Sequence, residues 1–226
     1  MQFNNIYYNL LLRLWAYGDT VQPRGMKVKE LMCVKFELQE PKDNIITLPE
    51  FKTNIEYAEE ELRWYYSGSN DINFSETIKK TWKQFSDDGV HVNSAYGYRI
   101  FGNNPGFVNQ WEWVKETLKN DRDSRRCVIN INSYFDKDKP TADFPCTIAC
   151  QVFIRDNKLY WITMLRSQDI YLGMRNDVYC FTKMQQRLAA ELNVLCGSYF
   201  HICNSLHIYE QHFEKVIKLL ESGNNG

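Results

Sequence analysis

Apolar residues recur at helical spacing over residues 4–17 and stop at Gly18, which predicts an amphipathic first helix. Residues 31–38 have the β-branched and aromatic content of a strand. A helix is predicted over 49–66, where Pro49 suits a first turn, Glu59, Glu60 and Glu61 favour helix, and Gly68 stops it. Helices are also predicted over 76–87 and 106–119, the latter carrying Trp111 and Trp113. Residues 127–131 alternate as a short strand, and apolar strands over 147–154 and 159–165 flank the turn sequence Arg155-Asp156-Asn157-Lys158. A helix over 176–192, a strand over 199–203 and a helix over 208–220 complete the pattern, and residues 222–226 read as a frayed end. Helices and strands mixed with a hairpin predict an α/β or α+β layer fold. With no repeat or linker in view, residues 1–226 are expected to form one domain.

Composition narrows the function classes. The chain has 226 residues, 44% hydrophobic and 24% charged, enough to bury a core and an enclosed pocket. A net charge of −1 supplies no field for a polyanion, so polymeric nucleic acid is not expected as a partner. The seven cysteines, an odd number with no CxxC pair, do not group with the four histidines at zinc spacing, so no metal is expected. No signal peptide or membrane-length apolar run is visible, which predicts a reduced protein of the cytoplasm.

Phe144-Pro145-Cys146-Thr147 places a cysteine at a loop-to-strand junction, where a thiolate could face a pocket; a buried structural cysteine is the plain alternative. Arg125 and Arg126 follow Ser124, and Arg166 precedes Ser167, each pair near a strand end, with Arg24 in a third loop. Arginine forks match phosphate oxygens, although Asp123 and Asp169 could equally make them surface ion pairs. Asn176 or Asp177 could cap a helix or face a ligand. His207 and Tyr209 would share a face on an extended segment, and Glu61 and Trp64 lie one helical turn apart.

In register, Glu61-Leu-Arg-Trp64, Tyr96-Gly97, Asp123 to Arg126, Pro145-Cys146, Arg166-Ser167-Gln168-Asp169, Leu172-Gly173 and His207-Ile-Tyr209 resemble the thymidylate synthases over about residues 21–216. Asn93-Ser94-x-Tyr96-Gly97, Asp143-Phe144-x-Cys146-Thr147 and Arg175-Asn176-Asp177 resemble the deoxycytidylate hydroxymethylase branch of that superfamily, found in phages. The resemblance implies a large mixed β-sheet flanked by helices and a homodimer joined sheet to sheet. It implies Cys146 as the nucleophile toward pyrimidine C6, with Arg24, Arg166 and Ser167 on the 5′-phosphate and Arg125 and Arg126 reaching that phosphate from the other subunit. It implies His207 and Tyr209 on the deoxyribose 3′-hydroxyl, Tyr96 behind the nucleophile, and Glu61 organising water and protons. Trp82, Asp169 and Gly173 would lie at 5,10-methylenetetrahydrofolate, the co-substrate. Four arginines are then expected to favour a thiolate at Cys146.

Two departures from thymidylate synthases select a branch. The base-reading asparagine is replaced by Asp177, whose carboxyl group can accept from cytosine N4–H and share a proton with N3, so dCMP is expected over dUMP. The chain also ends at residue 226, soon after Tyr209, where those enzymes continue with a segment that closes the site; this fits capture by water, giving hydroxymethyl rather than methyl. The residue after the nucleophile departs too, being Thr147 in place of histidine. A dCMP methylase, a dUMP or CMP hydroxymethylase, and an inactive nucleotide-binding relative are the alternatives.

Overall fold

The computed structural model describes residues 2–102, 108–138 and 140–223. The helices are α1 (Gln2–Tyr17), α2 (Ile55–Ser67), α3 (Glu76–Trp82), α4 (Tyr96–Phe101), α5 (Gln110–Asn120), α6 (Met174–Glu191) and α7 (Phe213–Gly223). The strands are β1 (Asp19–Val21), β2 (Val28–Leu38), β3 (Val128–Asn130), β4 (Thr147–Arg155), β5 (Lys158–Leu165), β6 (Gln168–Asp169) and β7 (Leu195–Tyr209). They form a mixed sheet in the order β1-β2-β7-β5-β4-β3, with β6 also on β7. β7 runs parallel to β5 and β6 and antiparallel to β2. This is the mixed α/β architecture expected from the sequence. No described helix is long and apolar enough to cross a membrane.

Several element boundaries differ from the sequence pattern. The helix expected from residue 49 begins at Ile55, because Glu50 takes a left-handed φ of 64° and the Asn54 side chain accepts from Tyr57 N. The helix expected over 76–87 tightens after Trp82 into a 3-10 turn. α5 starts at Gln110 behind an Asn109 cap; expected positions 106 and 107 lie outside the described residues, as do 224–226 of the expected frayed end, while 222 and 223 close α7. The largest change is β7, which extends the expected 199–203 to Leu195–Tyr209, so His207 and Tyr209 lie on a strand and the last helix begins only at Phe213. Long-range pairing with β2, from Val28↔Tyr209 to Leu38↔Tyr199, outweighs the local helical pattern there. The hairpin at 155–158 does form. Asp156 and Asn157 both take positive φ, the geometry of a two-residue turn matched to strand twist.

One sheet face carries the core. On β5, Leu159, Trp161, Thr163 and Leu165 are fully buried beneath α6, with Tyr160, Ile162 and Met164 half-buried on the opposite face. Phe200 and Ile202 of β7 share that half-buried face, which leaves an apolar surface not covered by the chain's own helices. Gln185 of α6 is fully buried and donates to Leu159 O at 3.0 Å and Gly197 O at 2.9 Å. It satisfies carbonyls where the β5–β7 register shifts and fixes α6 to the sheet.

Behind the core, α4 approaches α2 at Gly97. A Cβ there would fall 2.2–2.6 Å from the Tyr65 backbone, so only glycine allows the contact that seats Tyr96. Gly97→Ala should therefore destabilise the fold by about 2 kcal/mol. A urea midpoint equal to that of the parent would contradict the packing.

Candidate active site

Chain segments far apart in sequence meet in a cavity of about 400 Å³ lined by Arg24, Glu30, Phe144, Arg166, Ser167, Ser205, His207 and Tyr209, among others. β6 pairs with β7 so that Asp169 faces His207, which brings the Arg166-Ser167 loop against the end of β7. Ser167 Oγ lies 3.4 Å from His207 Nδ1, and the His207 and Tyr209 rings meet edge to face at 5.2 Å. Arg24 enters from a short turn with φ of 51°, a left-handed conformation rare for a side chain of its size. Five of the sequence-predicted residues thus line one cavity. Glu30 and Ser205 are hydrogen-bonded to each other within it; Ser205 belongs to the motif Ser205-Leu206-His207-x-Tyr209 without having been singled out, and Glu30 carried no motif that would have flagged it.

Cys146 lies next to this cavity, just before β4, in contact with the lining residue Arg166. Arg166 donates to Pro145 O at 2.9 Å and Phe144 O at 2.8 Å, and its Nη2 reaches Cys146 Sγ at 3.6 Å. Even so, the thiol is held above its ordinary value: burial outweighs Arg166, and Asp177 and Asp143 oppose Arg24. The expectation of a thiolate favoured by four arginines is therefore corrected for the single chain. Arg125 and Arg126 are exposed at the far end of β3. The register Val128↔Gln151 puts them on the order of 15–20 Å along β4 from Cys146, beyond reach within one chain.

The inner wall carries two carboxyl groups. Asp177 lies in the first turn of α6, not at its cap; the N-cap is Gly173, and the Asp177 side chain turns inward to accept from Gln168 Nε2 at 2.7 Å. Burial raises Asp177 to about 6 against that hydrogen bond. Glu61, 4% exposed on α2, is raised to about 8, by burial first and then by the nearby Asp177 charge. Tyr57 OH donates to Glu61 Oε1 at 2.9 Å, and Trp82 Nε1 donates to Tyr57 OH at 3.1 Å. Tyr57, absent from the sequence candidates, could have been found by its spacing, one turn before Glu61 on the same helical face. Tyr96, buried against Phe181, accepts from the backbone N–H of Thr147 at 3.3 Å and so braces the residue after Cys146. The Thr147 hydroxyl is buried with no hydrogen-bond partner. Ser94 N donates to Asp143 Oδ2 at 2.6 Å, which ties the 93–97 motif to the loop that carries Cys146.

Asp169 and Gly173 follow the phosphate-side loop. Asp169 Oδ1 accepts from Tyr171 N at 2.7 Å and Leu172 N at 3.1 Å, whereas Oδ2 is buried without a partner. That orphaned oxygen fits the donor groups of a polar ring system of the pterin kind. Gly173 leaves room for the inner wall: a Cβ there would lie 2.8 Å from Gln168 Nε2 and 3.4 Å from Asp177 Oδ2.

The structure thus gathers arginine, hydroxyl and imidazole groups around one cavity, with a cysteine and two protonatable carboxyls close by. The thymidylate synthase family model matches residues 3–225, and the chain belongs to that family, whose members transfer one-carbon units from methylenetetrahydrofolate to nucleotide monophosphates. The chain is 32% identical over 217 residues to the deoxyuridylate hydroxymethyltransferase of Bacillus phage SP01, covering 90% of this chain but only 56% of that protein. It is 29% identical over 228 residues to the deoxycytidylate 5-hydroxymethyltransferases of Enterobacteria phages T4 and T2, covering 96% of this chain and 89% of theirs.

The raised carboxyls have a consequence for stability. The native state keeps a proton on Glu61 that the unfolded chain releases above about 4.5, so the site's contribution is fully present below 4.5 and is lost as pH rises toward about 8. Asp177 acts in the same sense over a lower window, closing near 6. Wild-type stability should thus fall between pH 6 and 8, and Glu61→Gln should flatten that slope in urea titrations. Parallel slopes for the two proteins would place the proton elsewhere.

Proposed function

We propose that this protein is a single-domain dCMP 5-hydroxymethyltransferase that transfers a one-carbon unit from 5,10-methylenetetrahydrofolate to C5 of dCMP and lets water complete the product. The observation that carries the reading is Asp177, a buried acceptor near Cys146 with one of its oxygens occupied by Gln168. Ionised above about 6, it accepts from an exocyclic N4–H and repels a carbonyl at the same place. Arg24, Arg166 and Ser167 hold the 5′-phosphate, and His207 with Tyr209 holds the 3′-hydroxyl.

Cys146 loses its proton and forms the Sγ–C6 bond, which leaves C5 electron-rich. The folate supplies carbon at the oxidation level of formaldehyde, with Asp169 and Trp82 as the groups that hold it. Glu61, protonated at neutral pH and held by Tyr57, orders water and passes protons near C5. Breaking the Sγ–C6 bond restores the aromatic base and frees the enzyme. That SP01 and T4 relatives are both hydroxymethyltransferases supports water as the final acceptor.

The phosphate is completed by Arg125 and Arg126 of the partner subunit, in a homodimer joined through the apolar sheet face of Tyr160, Ile162, Met164, Phe200 and Ile202. Those arginines add the positive charge that the Cys146 thiol lacks in one chain. A second reading, dUMP as substrate, is favoured by the similarity to the SP01 enzyme. It requires a protonated Asp177, able to donate to O4.

Tritium release from [5-³H]dCMP and [5-³H]dUMP with methylenetetrahydrofolate, followed by mass analysis, separates these readings. Release from dCMP with a gain of CH₂O is expected. Turnover of dUMP alone, or a gain of CH₂, would overturn the assignment. Mixing inactive Cys146→Ala and inactive Arg126→Ala proteins should restore activity, because one site of each mixed dimer is then whole; a mixture that stays inactive argues against shared arginines.

A further inference from the structure

The inner wall behind Asp177 contains a buried polar chain that none of the roles above uses. Gln168, 2% exposed, donates through Nε2 to Asp177 Oδ2 at 2.7 Å. Its Oε1 lies 3.1 Å from Nε2 of His201, which is 1% exposed on β7. His201 Nδ1 lies 2.9 Å from the hydroxyl of the fully buried Tyr199. Phe36 stacks on the imidazole at 4.9 Å and prevents it from turning. Room for the amide depends on Gly173, whose missing Cβ would sit 2.8 Å from Gln168 Nε2.

Hydrogen-bond chemistry gives this chain one direction. An ionised carboxylate only accepts, so the Gln168 NH₂ faces Asp177 and the Gln168 carbonyl faces His201. His201 must then carry its proton on Nε2, and its bare Nδ1 accepts from the Tyr199 hydroxyl. Burial holds His201 far below its ordinary value, to about 3, so the ring stays neutral and keeps a single tautomer. Tyr199, His201 and Gln168 thus pass one fixed donor to one oxygen of Asp177.

We infer that Gln168, held by His201 and Tyr199, is a positioning residue that fixes base preference by engaging Asp177 Oδ2 and leaving Oδ1 as the sole reader of the pyrimidine's exocyclic group. An ionised Oδ1 accepts from an amino group. A proton on Asp177 is displaced to that same Oδ1, because Oδ2 already receives an N–H, and it would turn the reader into a donor suited to a carbonyl. The Gln168 donor opposes that proton, so it favours an amino-bearing base. The inference rests on the proposed reading of Asp177 as the base-facing group. The titratable groups facing Asp177 are Glu61 and Tyr65 of α2, Tyr96 of α4, Tyr199 of β7, and the thiols of Cys146, Cys150, Cys180 and Cys203; Gln168 is the neutral donor among them.

Gln168→Met keeps the volume and removes the donor. The ratio of kcat/KM for dCMP over dUMP should fall by about tenfold, the size of one lost buried hydrogen bond. The acid limb of the dCMP profile should move to higher pH, a change that loosened packing alone would not produce. His201→Phe, which leaves Gln168 in place without its anchor, should move both readouts the same way by less. In wild-type enzyme, ¹⁵N NMR of labelled histidine should find His201 protonated on Nε2 from pH 6 to 9. An Nδ1–H tautomer, or a folded Gln168→Met with unchanged ratio and limb, overturns the inference. If Gln168→Met does not fold, His201→Phe and the tautomer decide it. A wild-type preference for dUMP would sink the functional reading itself, separately from the direction of the chain.

Discussion

The pairing of β7 holds the rest of the molecule in place. This fifteen-residue strand bonds antiparallel to β2 along nearly all of its length and parallel to both β5 and β6. The buried side of β7 changes parity at Asn204, from Tyr199, His201 and Cys203 to Leu206 and Ile208, opposite Cys33 with its left-handed φ of 56°, and Ser205, His207 and Tyr209 then line the cavity. A one-residue slip against β2 would turn Ser205, His207 and Tyr209 away from the cavity at once. The same strand fixes where β6 lies, and with it Arg166, Ser167 and Gln168 immediately before and within that short strand. Local sequence does not specify this. Residues 206–209 carry a pattern compatible with the helix that follows, and only the partners on both sides make them extended.

Desolvation is the second organising force. Cys146, Glu61 and Asp177 all lie where protein has replaced water, and each is raised above its ordinary value with burial as the first cause. The effect differs by group because the hydrogen bonds differ. Glu61 accepts from a tyrosine that is itself bonded to Trp82, Asp177 accepts from an amide, and the thiol has only a long contact to Arg166. Two neighbouring carboxyls therefore separate into one that ionises near 6 and one that holds its proton to about 8. Such a division of labour is what acid–base work at neutral pH requires.

Much of this was legible in the sequence, and the remainder failed for definable reasons. Motifs of consecutive residues, such as Arg166-Ser167 and Pro145-Cys146, located the cavity because loops at strand ends carry their neighbours together. Most of the predicted elements have the right type, and the 155–158 hairpin was read almost to the residue, but β1, α4 and β6 were not predicted and residues 208 and 209 were expected as helix. Boundaries failed where one backbone residue decided them, as at Glu50, or where pairing reached across the chain, as in β7. The site was read least well where partners are far apart in sequence. Nothing local to His201 announces a contact with Gln168, and nothing near Glu30 announces Ser205. The electrostatic expectation at Cys146 failed because burial cannot be summed from a list of arginines.

On the proposed reading, charge at the cavity gives the strongest physical reason for a second subunit. A nucleoside monophosphate brings a charge of about −1.5 to −2 at neutral pH. Against it the chain offers Arg24 and Arg166, and the cavity wall also includes the acidic side chain of Glu30. Arg166 is already committed to the carbonyls of Phe144 and Pro145, so its fork is only partly free for phosphate. Arg125 and Arg126 stand exposed at the opposite end of β4, away from this cavity. Two copies joined through the apolar sheet face would cover Tyr160, Ile162, Met164, Phe200 and Ile202 and could carry each arginine pair to the other's cavity. Burial of apolar surface and neutralisation of the phosphate would then be satisfied by the same contact, and the positive charge delivered would also offset the desolvation that holds Cys146 as a thiol.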